Sequence, residues 1–154
     1  MMKVVIVGGV AGGAGTAARL RRNDETAEII MLERGSYISY ANCGLPYYIG
    51  GVITDKDALQ LQTPERFHAR FNVDVRVDSQ VVSVDTEKKC VVVRHGEETY
   101  EESYDKLVLS PGAGPVRPGI PGIGENHVFT LRNIPDTYAI FDFVKEHGPA
   151  SCAV

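Results

Sequence analysis

Lys3-Val4-Val5-Ile6-Val7-Gly8-Gly9-Val10-Ala11-Gly12-Gly13 decides how the rest of the chain is read. Val4–Val7 is an unbroken β-branched run, which suits a strand buried on both faces of a parallel sheet. Glycines follow at once. Residues 14–22 carry the helix formers Ala17, Ala18 and Leu20 and the cations Arg19, Arg21 and Arg22. Cations in the last turn suit the negative end of the helix dipole. Residues 28–33 read as a second strand, completing a strand–helix–strand unit. A glycine loop between a strand and a helix is the context of the dinucleotide fingerprint. Gly8 permits the tight turn, and Gly13 lets the helix approach the strand. Free amides at the helix start suit a pyrophosphate. One departure stands out: the second glycine of the G-x-G-x-x-G frame is Val10, which narrows the backbone approach. Glu33, closing the second strand, can accept hydrogen bonds from ribose hydroxyls and repels a 2′-phosphate. FAD and NAD(H) can both use such a unit.

Outward from this unit, residues 34–42 read as a loop. A short helix is expected from Cys43-Gly44 to about Gly50-Gly51, with Pro46 in its first turn. Residues 63–71 read as a helix capped by Thr63 with Pro64 at its first position, and 72–77 as a short strand. The period then changes to two over 81–85, 90–94 and 98–103, which predicts an antiparallel meander. Leu107-Val108-Leu109 is another buried strand, ending at Ser110-Pro111-Gly112-Ala113. Pro115, Pro118 and Pro121 stiffen a crossing segment, and residues 136–146 form a helix stopped by Gly148-Pro149. The fold class is α/β: a Rossmann-like parallel sheet with an inserted antiparallel meander.

The 154 residues are 44% apolar and 23% charged with a net charge of −4, enough for one real core and no bulk attraction to nucleic acid. No apolar run reaches membrane-spanning length, and Met1–Val7 is too short for a signal peptide. Cys43, Cys90 and Cys152 are odd in number and widely spaced, so they form neither a disulfide framework nor a metal site. A reducing cytoplasm is the default setting. Cys90 alternates with apolar neighbours and reads as structural. Ala150–Val154 reads as the start of a buried strand, with Cys152 in its core. The expectation is a piece of a longer protein: residues 1–114 a cofactor domain, 115–148 a crossing segment and helix, and 149–154 the start of a truncated nicotinamide-nucleotide domain.

Cys43 lies in Ser39-Tyr40-Ala41-Asn42-Cys43-Gly44-Leu45-Pro46-Tyr47-Tyr48 with no second cysteine near it. A lone thiol beside a dinucleotide unit points to one-thiol redox chemistry, with a substrate sulfur or a sulfenic acid as the second half of the pair. The thiolate is the reactive form, and a helix N-terminus favours it.

The meander followed by Ser110-Pro111-Gly112-Ala113 resembles the FAD domain of two-dinucleotide flavoprotein reductases, although Pro111 replaces the usual threonine. Val81 and Val82 lie near the adenine by that resemblance. The glycine loop with Tyr40–Tyr47 is similar to the coenzyme A-disulfide reductase branch of the single-cysteine flavoprotein reductases. That branch also holds NADH oxidases, peroxidases and persulfide reductases. The resemblance implies FAD held by Gly8, Gly9, Val10, Ala11, Gly12, Gly13, Glu33, Arg34, Asn42, Cys43, Val81, Val82, Ser110, Pro111, Gly112 and Ala113. NAD(P)H would bind through a further domain. It makes Cys43 the catalytic nucleophile, with Gly15, Arg19, Arg22, Ser39 and Asn42 on a coenzyme A-type substrate, no metal, and a homodimer. Guanidinium groups suit its phosphates. A sulfenic-acid NADH oxidase or peroxidase, or a nucleotide-binding module without turnover, are the alternatives.

Overall fold

The computed structural model describes residues 1–154 throughout. In chain order its elements are β1 Lys3–Val7, α1 Ala11–Asn23, β2 Glu28–Leu32, a 3₁₀ turn Asn42–Gly44, α2 Leu45–Ile49, and a second 3₁₀ turn Lys56–Leu59. Then come α3 Pro64–Phe71, β3 Asp74–Arg76, β4 Ser79–Asp85, β5 Cys90–His95, β6 Glu98–Ser103, β7 Lys106–Leu109 and α4 Ile134–His147. The chain divides into two units. The first combines Met1–Tyr40 with Gln60–Gly112, the second Ala41–Leu59 with Ala113–Val154.

The first unit is layered around a parallel sheet of order β3-β2-β1-β7. β1 aligns Val4 with Ile29 and Ile6 with Met31 on one side, and Ile6 with Val108 on the other. The alternation explains why the strand sequences are apolar without interruption. Val4, Ile6, Ile29 and Met31 face Ala14 and Ala17 of α1 and Phe67 of α3, while Val5, Ile30 and Leu32 meet Val91 and Val93 of the meander. Both faces are therefore buried, as expected of a parallel sheet. The meander β4-β5-β6 is antiparallel as its period-two pattern predicts, with a bulge between Val81 and Ser83. Gly96 turns the β5–β6 hairpin at φ 60°.

Several boundaries differ from the sequence reading, among them α2, which starts at Leu45 after a separate 3₁₀ turn and not at Cys43, and two others have a plain physical reason. α1 starts at Ala11, not at residue 14, so Gly12 and Gly13 are helical despite their poor intrinsic propensity. Close packing is the reason: a Cβ on Gly13 would sit 1.7 Å from the Gly8 carbonyl oxygen. β3 is shorter than residues 72–77 because Asn72 turns left-handed, at φ 47°, to end α3.

In the second unit, Tyr48 of α2 packs against Tyr138 and Phe141 of α4, at ring distances of 5.7 and 5.0 Å. The Lys56 ammonium sits 4.3 Å from the Tyr138 ring. α4 begins with a capping box in which the Asn133 and Asp136 side chains each accept from the other's backbone amide, and it ends at left-handed Gly148. Residues 150–154 form no strand, and Cys152 is exposed, not core. A strand needs a paired neighbour for its amides and carbonyls, and no strand pairs with this run.

Candidate nucleotide and thiol sites

The phosphate loop is built by contacts that leave no room for side chains. Gly8 adopts φ 99°, and a Cβ there would fall 2.1 Å from the Ser110 carbonyl oxygen. The loop after β1 thus lies directly against the loop after β7. α1 has no side-chain cap at Val10 and no acidic residue in its first turn. The positive end of a thirteen-residue helix is left for an outside anion. Glu33 brackets the loop: its carboxylate accepts from the Gly9 amide at 2.7 Å and from the Gly35 amide at 2.8 Å. A carboxylate has about four acceptor positions, so capacity remains for ribose hydroxyls. This donor set suits a dinucleotide: anion at the helix start, hydroxyls at the acid. Ser110, Pro111 and Gly112 sit in the same unit, and Arg34 is exposed beside Glu33. Val81 packs into the core, whereas Val82, at the bulge, points outward with 47% exposure.

An open cleft of about 390 Å³, bordering the phosphate loop at Val10 and Ala11, lies between α1, α3 and the loop before Tyr40. Ala11, Ala14, Gly15, Ala18 and Arg22 supply one wall, a single face of α1. Ser39 and Tyr40 supply another, and Phe67, Arg70 and Phe71 of α3 a third. Ser39 is held in the left-handed region at φ 45°, where a non-glycine residue is uncommon. Two backbone bonds hold it there: its amide donates to the Gly9 carbonyl at 3.0 Å, and its carbonyl accepts from the Leu61 amide at 3.0 Å. Arg21 fixes the far end of the cleft. Its guanidinium donates to the carbonyls of Phe71, Asn72, Asp24 and Glu25, tying the C-terminus of α1 to that of α3.

The cleft brings together Gly15, Arg22 and Ser39 of the sequence-named substrate residues. Arg19 is exposed on α1 outside the lining. Arg70 was missed, because nothing in the sequence says that α3 faces α1. Asn42, Cys43 and Ala113 belong to the second unit. There Cys43 is exposed in the 3₁₀ turn Asn42–Gly44, immediately before α2, with Pro46 at the start of that helix. Gly44 is buried, and a Cβ on it would press on Ile53, Leu59 and Ala41 at 3.3–3.4 Å. The turn is thereby seated while the sulfur stays open. All three cysteines are unpaired. Cys90 is buried in β5, and burial, with Glu101 and Asp85 nearby, pushes its thiol up and away from the reactive form. No group of side chains is arranged to hold a metal, and no helix is long and apolar enough to cross a membrane.

Comparison with known proteins gives consistent matches. The family described as pyridine nucleotide-disulphide oxidoreductase matches residues 2–154. The coenzyme A disulfide reductase of Staphylococcus aureus (strain JH9) is 44% identical over 147 residues, covering 94% of this chain and 33% of that protein. The crystal structure of reduced Bacillus anthracis CoADR-RHD is 57% identical with a TM-score of 0.94, over 96% of this chain and 27% of that one. A NAD-dependent persulfide reductase from A. fulgidus is 34% identical with a TM-score of 0.91, over 95% of this chain and 28% of that one. The chain spans about a third of the length of the curated relatives it matches. With its parallel sheet, its glycine loop and a family match along nearly its whole length, this chain belongs to the pyridine nucleotide-disulphide oxidoreductases.

Proposed function

We propose that the chain is the FAD-binding part of an NAD(P)H:disulfide oxidoreductase that reduces coenzyme A disulfide or coenzyme A persulfide through Cys43. The observation that carries this reading is the exposed, unpaired thiol of Cys43, seated in a tight turn with no other sulfur in its segment. The arginine-bearing cleft supports a phosphorylated substrate, and relatives named for coenzyme A disulfide and persulfide reduction support the sulfur chemistry.

In this reading Gly8–Gly13, Glu33, Arg34 and Ser110–Gly112 bind FAD, with Val81 and Val82 near its adenine. FAD, when bound, supplies a two-electron relay between nicotinamide and sulfur. The Cys43 thiolate attacks one sulfur of coenzyme A disulfide. A Cys43–coenzyme A disulfide forms, and the first coenzyme A leaves as thiolate and takes up a proton. Two electrons and a proton, originating in NAD(P)H, then cleave that mixed disulfide, restoring the Cys43 thiolate and releasing the second coenzyme A as thiol. Asn42 positions the substrate sulfur, while Gly15, Arg19, Arg22 and Ser39 hold the nucleotide end. A homodimer in the cytoplasm is part of the proposal.

The test is a Cys43→Ser substitution in the full-length polypeptide. The expected result is a fall in coenzyme A disulfide reduction of roughly a hundredfold or more, with the flavin absorbance retained. Reduction at the parental rate would sink the proposal.

A further inference from the structure

We propose that the left-handed turn at Asp78 aims the Glu33 carboxylate at the adenosine ribose of FAD, which makes Asp78 a positioning residue for the cofactor. This rests on the FAD reading above and deepens it. Asp78 stands at φ 51°, in a region that residues other than glycine seldom enter. Asn72, at φ 47°, ends α3, and Lys89, at φ 53°, turns the β4–β5 hairpin. Asp78 does neither: it carries the chain from β3 of the parallel sheet to β4 of the meander. Around it, the Glu33 amide donates to the Arg76 carbonyl at 2.9 Å, and the Glu33 carbonyl accepts from the Ser79 amide at 2.8 Å. The Asp78 amide donates to the Gly35 carbonyl at 3.1 Å, and the Ser36 hydroxyl donates to the Asp78 carboxylate at 2.7 Å.

Gly35 links the turn to the carboxylate. Its carbonyl is taken by the Asp78 amide, and its own amide donates to Glu33 Oε1 at 2.8 Å. The other oxygen, Oε2, accepts from the Gly9 amide of the glycine loop at 2.7 Å. The carboxylate is thus aimed from two sides, and the side away from the glycine loop depends on the turn. The left-handed step lets residues 76 and 79 both bond Glu33 while residue 78 reaches Gly35. An extended residue at 78 would carry Ser79 onward and away from Glu33. The turn is itself anchored: Arg76 pairs with Asp74 and Glu102, and the buried Ser79 donates its hydroxyl to the Val77 carbonyl at 2.9 Å. Strain that the surroundings over-determine in this way belongs to sites that preorganise a ligand group. What Glu33 has left sets the ligand chemistry. An ionised carboxylate only accepts, so its spare lone pairs take hydroxyl donors, and a ribose diol offers two.

The experiment titrates the full-length protein, freed of flavin, with FAD and with an FAD analogue whose adenosine ribose lacks both hydroxyls. Flavin fluorescence reports binding without turnover. Asp78→Val, whose β-branched side chain does not fit the left-handed region, should weaken FAD binding roughly tenfold. It should leave binding of the analogue within about twofold of the parent, and it should add nothing in a Glu33→Gln background. Asp78→Gly, which enters the left-handed region without strain, should bind FAD within about threefold of the parent. Asp78→Ala should fall between the two, and the alanine and glycine variants decide the matter if the valine variant does not fold. Equal loss on both ligands, unchanged FAD affinity in Asp78→Val, or an Asp78→Ala that matches Asp78→Gly overturns the role of Asp78 and leaves the proposed function standing. A parent that binds both ligands alike does the same. A parent that binds no FAD overturns the FAD reading, and this proposal with it.

Discussion

Gly13 and Gly15 sit two positions apart on one helix and have opposite reasons to be glycine. A Cβ on Gly13 meets the Gly8 carbonyl at 1.7 Å, whereas a Cβ on Gly15 meets nothing within 4 Å. Gly13→Ala should therefore destabilise the fold by about 3 kcal/mol, because backbone must move. Gly15→Ala should stabilise it by about 0.5–1 kcal/mol through helix propensity alone, while raising KM for coenzyme A disulfide by narrowing the cleft wall. Thermal melts of both variants, with kinetics on full-length Gly15→Ala, check the pair; a destabilised Gly15→Ala contradicts the open-wall geometry. The tight turn at Gly8 and the close helix approach at Gly13 were legible, because a strand running into glycines leaves few alternatives. The place of Arg70 on the cleft was not legible: it depends on which helix faces which, and a distance between helices is not written in local spacing. Arg21 was read as a dipole-favoured cation, and its actual task depends equally on the placement of α3.

The elements are fastened by charge where their apolar faces run out. Glu102 of β6 is nearly buried and bonds to Lys3 of β1 and Arg76 of β3, each at 2.6 Å, so one carboxylate pins the meander to the parallel sheet. Burial alone would push the Glu102 carboxyl up, but the bonds from Lys3 and Arg76 outweigh it and hold it below its ordinary value of 4.5. Lys3 is held above its ordinary 10.5, chiefly by its bond to Glu102. The lowered acid contributes stability that is full above about pH 4.5 and is lost as pH falls through its folded value. The raised amine contributes below about pH 10.5 and loses its share as pH rises through its folded value. Glu102→Gln should cost about 2 kcal/mol at pH 7, and the gap from the parent should close below pH 4.5. Urea midpoints at pH 7 and pH 3.5 decide this; an equal gap at both excludes the ionic account. The meander was legible from its alternation. The bulge at Val82 was not, because nothing in the local sequence marks where the register with β5 slips.

At the scale of the molecule, one dinucleotide unit is present and two thiols are open, Cys43 within the chain and Cys152 near its last residue. Relatives run about three times longer, and no second strand–glycine-loop–helix unit occurs in these 154 residues. Residues 1–154 alone should therefore show no NADH-dependent reduction of coenzyme A disulfide, as followed by nicotinamide absorbance; brisk turnover would reverse that view. The fold class was readable because strand and helix periods alternate along the chain. The division into two units was not, since each is assembled from two separated stretches. The stretch bearing Cys43 leaves the first unit after Tyr40 and rejoins it at Gln60, and those two residues bridge to each other. The neck is sewn further by the Ala41 amide on the Leu59 carbonyl at 2.8 Å and the Leu61 amide on the Ser39 carbonyl at 3.0 Å. A stretch with closed ends is a cassette: exchanging its interior sequence is expected to leave the parallel sheet and the glycine loop, which lie outside it, in place. Under the proposed function, the glycine loop and the thiol of Cys43 thus stand on separate stretches of sequence, one outside the neck and one inside it.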